Sequence, residues 1–254
     1  MDQISLIKIN QVVGNLYLPE KPTKKAIIFA NGGPALGDQG NSNLWSAAKE
    51  NNYILFIPDY IGHSRSDGEF NFKNCLETIF ESEKYLKEKF NCTEIILVGN
   101  SWGGAIVPFL EKYQKSDIKT ICLVQPLTNW ITQGKTSYPE EDVIQIDREI
   151  KTIWKNIYRG YADSEWPDIF LGKLKEFNPI DNLELLKDKQ VFIYHGKQDS
   201  VIHFSKSQKY YQKFKKEFPK SKVFLKKLNG NHSNLFIKKA LDSILKNLTK
   251  NNKF

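Results

Sequence analysis

The sequence predicts an α/β fold: a mostly parallel central sheet of about eight strands, flanked by helices and carrying a helical insertion. Three observations predict it. Short apolar runs recur along the chain, each closed by Gly, Pro or Asn. Segments with helical periodicity separate them. One aromatic-rich stretch, at about 127–186, breaks that rhythm.

The runs come first. Ile4, Leu6 and Ile7, then Val12, Val13, Leu16 and Tyr17, alternate as a strand pair does. Ala26-Ile27-Ile28-Phe29-Ala30 stops at Asn31-Gly32-Gly33-Pro34. Tyr53 to Ile57 stops at Pro58, and Glu94 to Val98 stops at Gly99. Ile118 to Val124 stops before Pro126, Val191 to Tyr194 at His195-Gly196, and Ser221 to Leu228 at Asn229-Gly230. Continuous apolar runs of this length are buried strands. Leu44 to Asn51, Phe72 to Phe90, Trp102 to Lys115, Phe204 to Phe218 and Asn234 to Leu248 read as helices. Strand–helix alternation of this kind builds a parallel sheet covered on both sides.

Between Pro126 and Leu186 no core strand is evident. The segment holds Trp130, Tyr138, Trp154, Tyr158, Tyr161, Trp166, Phe170 and Phe177, with a helix expected over Glu141 to Tyr158. It reads as an insertion of about 127–186 that caps the sheet, within one domain spanning 1–254. Most of its aromatics are expected to bury the insertion's own small core, and specificity is expected to reside there.

Composition narrows the class. Hydrophobic residues make up 40% of the chain, enough for a sizeable core, and the net charge is +8. The base is almost all lysine and is spread along the chain; only Arg65, Arg148 and Arg159 are arginines. Bidentate phosphate and base contacts favour arginine, so a lysine-rich solvated surface is read rather than a nucleic-acid partner. Cys75, Cys92 and Cys122 form no disulfide framework, and no signal peptide or membrane-crossing run is visible. The expectation is a cytoplasmic protein without membrane insertion. Asn231-His232-Ser233 is formally a glycosylation sequon, but it includes a candidate catalytic histidine, which disfavours a secretory route. Oligomeric state is not legible.

The strongest chemical signal is Val98-Gly99-Asn100-Ser101-Trp102-Gly103-Gly104, which follows a buried strand and opens a helix. A serine on so sharp a turn needs small neighbours two positions away, and Gly99 and Gly103 supply them. No Gly-Lys-Ser/Thr follows, so a phosphate-binding loop fits less well. A serine hydroxyl needs a base, and the base an orienting acid. Among the four histidines, His232 follows the last strand, in a loop before the final helix. Asp199 follows His195 in the loop after the preceding strand. Both leave carboxyl ends of strands, where open α/β sheets bind ligands. His63, His195 and His203 are read as structural or surface residues, and no metal-ligand spacing is present.

These landmarks resemble the α/β-hydrolase superfamily, in its serine esterase, lipase and aminopeptidase-like branch, over about Ile4 to Leu248. Asn31-Gly32-Gly33-Pro34 is similar to the family's oxyanion loop. Asp59-Tyr60-Ile61-Gly62-His63-Ser64-Arg65-Ser66 is similar to its Asp-x-x-Gly-x-Gly-x-Ser loop. Gly99 to Gly103 is similar to the nucleophile elbow, and the His195–Asp199 and Asn231-His232 segments to the acid and base loops. Two positions depart: Asn31 stands where the family often has His, and Ser64 where it has a second glycine. Asn31 is expected to keep the loop shape by bonding its backbone.

The resemblance implies a Ser101–His232–Asp199 triad acting on a small-molecule acyl substrate, without metal or other cofactor. It also implies an oxyanion hole from the N–H groups of Trp102 and Gly33; Pro34 has no N–H. Ser101 excludes the relatives whose elbow nucleophile is Asp. A carboxylic ester is the expected substrate. An aminopeptidase of the prolyl-aminopeptidase type stays open, with Glu140, Glu141, Asp142, Asp163, Glu165 and Asp168 as candidate amine-binding groups, as does a thioesterase. A ligand-binding protein on the same fold is the alternative from another class.

Overall fold

A computed structural model describes residues 3–40, 42–132, 135–136 and 139–251. The N-terminal alternation forms a hairpin: β1 (Gln3–Ile9) and β2 (Val12–Leu18) pair antiparallel. The apolar runs that follow are β3 (Lys25–Ala30), β4 (Ile54–Pro58), β5 (Glu94–Asn100) and β6 (Thr120–Val124). After a short hairpin, β7 (Ile131–Thr132) with β8 (Lys135–Thr136), come β9 (Gln190–Gly196) and β10 (Lys222–Leu228). The main sheet has the order β1-β2-β4-β3-β5-β6-β9-β10. It is parallel from β4 to β10, and antiparallel where β2 meets β1 and β4.

Helices cover both faces. α1 (Leu44–Glu50) and α8 (Asn234–Asn251) pack on one face, against Tyr17, Ile27, Leu55, Val98 and Val124. α2 (Phe72–Phe90) and α7 (Phe204–Glu217) pack on the other, against Ile28, Phe56, Leu97 and Ile193. Asn71 caps α2 by accepting from Asn74 N at 2.8 Å, and Asn91 ends the helix in a left-handed conformation. Residue pairs alternate across each strand, so the apolar runs fill both cores at once.

Register places the site. Ala30 pairs with Gly99, Asn100 with Val124, Val124 with Tyr194, and Gly196 with Leu228. The carboxyl ends of five strands therefore meet at one edge. Every loop that carries a candidate site residue leaves from it.

Three expectations need correction. The helix expected over Trp102 to Lys115 is broken into α3 (Gly103–Ile106), a 3-10 turn at Val107–Phe109 and α4 (Leu110–Tyr113). Pro108 sits in that turn; it lacks an N–H and crowds the preceding carbonyls. The helix expected to reach Tyr158 is α5 (Glu140–Thr152). The chain then turns so that Tyr158 forms a β-bridge with His63. Third, the insertion's aromatics do not simply bury a core of their own. Tyr158 stacks parallel to Trp102 at 5.8 Å, and Trp166 and Phe170 meet the Trp102 ring edge-on at 4.7 and 4.9 Å. Trp166, in α6 (Trp166–Phe170), also stacks on Phe70, and Phe177 packs on Phe72. The insertion is welded to the body through these rings. Tyr138 lies outside the described residues.

The insertion should therefore unfold with the body rather than before it. Trp166→Ala empties a fully buried site at that weld. It should cost about 3–5 kcal/mol, read as a lowered urea midpoint in one cooperative transition followed by both tryptophan fluorescence and far-UV circular dichroism.

Candidate active site

Ser101 leaves β5 with φ of 50°, a left-handed conformation that L side chains rarely adopt. Close backbone packing holds it there. A Cβ on Gly99 would lie 2.7 Å from Gly103 O, and one on Gly103 would lie 2.2 Å from Ala30 O. Neither position tolerates a side chain, which is the reason for the glycine spacing read in the sequence. Ser101 N donates to Val124 O at 3.0 Å, and Ser101 O accepts from Leu127 N at 3.1 Å. The turn is thus tied to the end of β6.

Asp199 lies in the loop after β9 and is almost wholly buried. Its Oδ1 accepts from Val201 N at 3.0 Å and Ile202 N at 2.8 Å. Its Oδ2 lies 2.9 Å from His232 Nδ1. Burial alone would raise the Asp199 carboxyl. Hydrogen bonds from His195, His232 and the Ile202 backbone outweigh it and hold the group well below the usual carboxylate range. Because Oδ2 can only accept, His232 carries its proton on Nδ1, and Nε2 is left as the basic nitrogen. His232 and Ser101 line the same cavity, of about 650 Å³.

His195 is buried and structural, as read from the sequence, but its position has a use. Its Nε2 lies 2.6 Å from Ile202 O and 3.3 Å from Asp199 Oδ2, so Nε2 carries the proton. Its Nδ1 pairs with Ser207 Oγ at 2.8 Å. The ring locks the acid loop to α7. His203 is exposed and stands before α7 without a side-chain cap bond.

Gln125 escaped the sequence reading. It is buried, takes φ of 47°, and donates through Nε2 to Asn231 O at 2.9 Å. It thereby ties the end of β6 to the residue before His232. The available signal was its place at a strand's carboxyl end, beside the elbow.

The loop after β3 is held from three sides. Tyr60 Oη donates to Asn31 O at 3.0 Å. Ala35 N donates to Tyr158 Oη at 2.9 Å, and His63 Nε2 donates to Ala35 O at 2.8 Å. The expected backbone bond from the Asn31 amide is not formed: among the described residues its buried Nδ2 has no hydrogen-bond partner. Position 31 is held by its carbonyl instead. Gly32 presses on Ser101, since a Cβ there would come 2.9 Å from Ser101 Cβ; Gly33 lies against the Trp102 ring. Ser64 takes a left-handed conformation, φ 49°, which a glycine adopts without strain.

The cavity draws on other segments than the one in which specificity is expected. Its lining comes from the end of β3 and the loop after it, the start of α1, Ile57 of β4, the elbow, His232 and the start of α8; none of the described lining residues lies within 127–186. The acidic residues of the insertion, from Glu140 to Asp168, are not among them.

Fold and site together define an α/β enzyme of the hydrolytic class. The sequence profile of the α/β hydrolase fold family matches residues 25–167, and the chain belongs to that family. Among solved structures, a serine hydrolase from Cycloclasticus zankles is similar at 15% identity and TM-score 0.66, covering 100% of this chain and 99% of that one. A Pyrococcus furiosus esterase is similar at 15% identity and TM-score 0.64, covering 98% and 91%. A Bacillus anthracis bromoperoxidase is similar at 18% identity and TM-score 0.63, covering 98% and 100%. No curated protein sequence matches the chain.

Two outcomes follow from this geometry. Gln125→Ala should lower kcat about 5- to 10-fold, the size of one lost hydrogen bond at an aligned base, with little change in KM and a lowered thermal midpoint from the buried bond lost. The second concerns His63, whose pKa burial lowers from 6.5 against the opposing bond to Ala35 O. Below pH 6.5 the unfolded imidazole takes up a proton that the folded one refuses. Stability should therefore fall as pH drops from there toward the lower folded value, and level off beneath it. His63→Gln, which keeps an N–H donor, should flatten that slope in urea titrations between pH 7.5 and 5.

Proposed function

We propose that the protein is a serine hydrolase of carboxylic esters, acting through Ser101, His232 and Asp199. The observation that carries this reading is the 2.9 Å Asp199 Oδ2–His232 Nδ1 pair beside a cavity that His232 shares with Ser101. His232 Nε2 takes the Ser101 proton as Oγ attacks the acyl carbon, then gives it to the leaving alkoxide. Asp199 holds the tautomer and stabilises the imidazolium. Water, activated by His232, hydrolyses the acyl-enzyme and restores Ser101.

The N–H groups of Trp102 and Gly33 take the role of oxyanion donors. Gly33 supports that role because its backbone lies close against the Trp102 ring, where a Cβ would clash at 2.7 Å. In this reading residues 1–254 form one domain and 127–186 a docked cap that braces the oxyanion loop through Tyr158. The cap's contribution is to loop geometry, since none of its described residues lines the cavity. An aminopeptidase that holds its substrate amine with cap carboxylates gains no support from that arrangement. Among the described residues, no helix is long and apolar enough to cross a membrane.

Ser101→Ala should abolish hydrolysis of p-nitrophenyl butyrate, on the order of 10⁶ in turnover, with an unchanged circular dichroism spectrum. A fluorophosphonate should label Ser101, and His232→Ala should slow that labelling greatly. Wild-type turnover in the Ser101 variant, or labelling at another residue, would overturn the assignment.

A further inference from the structure

The cavity that holds Ser101 carries a charge pattern at odds with the rest of the protein. The chain is strongly basic at +8, with 37 lysines and arginines. None of them lines this cavity. Its polar wall consists of Asp38, amide side chains such as Asn31, Gln39, Asn43 and Asn234, and Ser42. Apart from His232, Asp38 supplies the only formal charge among the described lining residues.

Asp38 is held by a buried framework. Its Oδ2 accepts from Tyr17 Oη at 2.5 Å and from Asn15 Nδ2 at 2.8 Å, and its carbonyl accepts from Asn15 Nδ2 at 2.7 Å. Tyr17 and Asn15 are both more than nine-tenths buried. Asn15 has no choice of orientation: Arg65 Nη1 donates to its Oδ1 at 3.4 Å, so Nδ2 must face Asp38. Burial and the Asp38 carboxylate push the Tyr17 phenol up, which keeps it a donor.

Both side-chain donors to Asp38 are neutral, and both fall on Oδ2. The nearby cation, Arg65, is engaged by Asp59, with Nε to Oδ2 at 2.7 Å and Nη2 to Oδ1 at 3.2 Å. Arg65 and Asp59 answer each other's charge, and the Asp38 charge stays available to the cavity. A half-buried carboxylate beside neutral amides attracts a cation and repels an anion.

We infer that Asp38 is a cation-recognition subsite, and that the substrates this cavity selects are esters bearing an ammonium group away from the scissile bond. The inference rests on the hydrolase reading for its reaction, and on the cavity alone for its chemistry. It differs from a cap-borne amine site in position: the selecting carboxylate comes from the loop after β3.

The test compares butyrylcholine with 3,3-dimethylbutyl butyrate, its isostere with carbon in place of the charged nitrogen. The wild-type protein should favour the cationic ester about tenfold in kcat/KM, equivalent to ~1.4 kcal/mol. That preference should shrink at high salt. Asp38→Asn keeps an acceptor for Tyr17 and Asn15 but removes the charge, and should bring the ratio close to one. A merely loop-pinning role would lower both esters by one factor and leave the ratio unchanged. That result, or a ratio of one in the wild type, overturns the inference.

Calorimetry with choline and 3,3-dimethylbutanol, on wild type and Asp38→Asn, separates the two readings. Asp38-dependent choline binding without ester turnover would remove the hydrolase reading and keep the subsite. Turnover without any Asp38-dependent preference would do the reverse.

Discussion

The close approach of two strand ends and a helix start at Ser101 is the constraint on which the rest of the structure depends. Gly103 sits so near Ala30 O, and Gly99 so near Gly103 O, that no side chain fits at either position. The end of β3, the end of β5 and the start of α3 therefore share one small volume. Ser101 has no room for a relaxed backbone and takes a positive φ, with its N–H bound to Val124. Strain of this kind persists only where its surroundings over-determine it. Here the surroundings are the sheet itself.

The same packing organises the polar groups. Once β6, β9 and β10 end level with β5, short tethers suffice to bring acid and base together. Gln125 reaches Asn231, and Gln198 exchanges bonds with Gly230 through its backbone N–H and its side-chain carbonyl. His195 fixes the acid loop from below. The Gln125 and His195 tethers use buried polar groups whose desolvation would be costly if they were left unpaired. The proposed triad is accordingly a product of loop anchoring more than of the three residues alone.

The insertion and the cavity divide the labour in an unexpected way. The insertion's rings close over Trp102 and Phe70, and Tyr158 reaches the loop after β3. The cavity is lined by the same loop. The loop is thus braced by the insertion and presents its polar side chains, Asp38 among them, to the cavity. The Arg65–Asp59 pair and Asn15 complete the brace from the body. Gly37 is confined to glycine by Asp59, whose Oδ1 would meet a Cβ at 1.9 Å.

The fold was legible in the sequence because its signals are local. Apolar runs ended by Gly or Pro locate the strands, and the glycines around Ser101 report a backbone crowding that neighbours in sequence partly create. His232 and Asp199 could be singled out because both follow strands, and carboxyl strand ends share an edge. The presence of an insertion was legible, but the way it docks was not. Its aromatics have no periodic pattern, and their partners, Phe70 and Trp102, are distant in sequence. Pro108 breaks the helix read over Trp102 to Lys115, and the length of the break is decided by packing. Tyr158 and Asp38 carry no local signature, and Gln125 only its place at a strand end, because each acts through a contact with residues far along the chain. The sequence by itself determined the sheet, its turns and which side chains stand as candidates for the site, since these follow from short-range backbone and hydrophobic preferences. Only the tertiary structure decided which side chains face the cavity, because that depends on how independent loops are tied together in space.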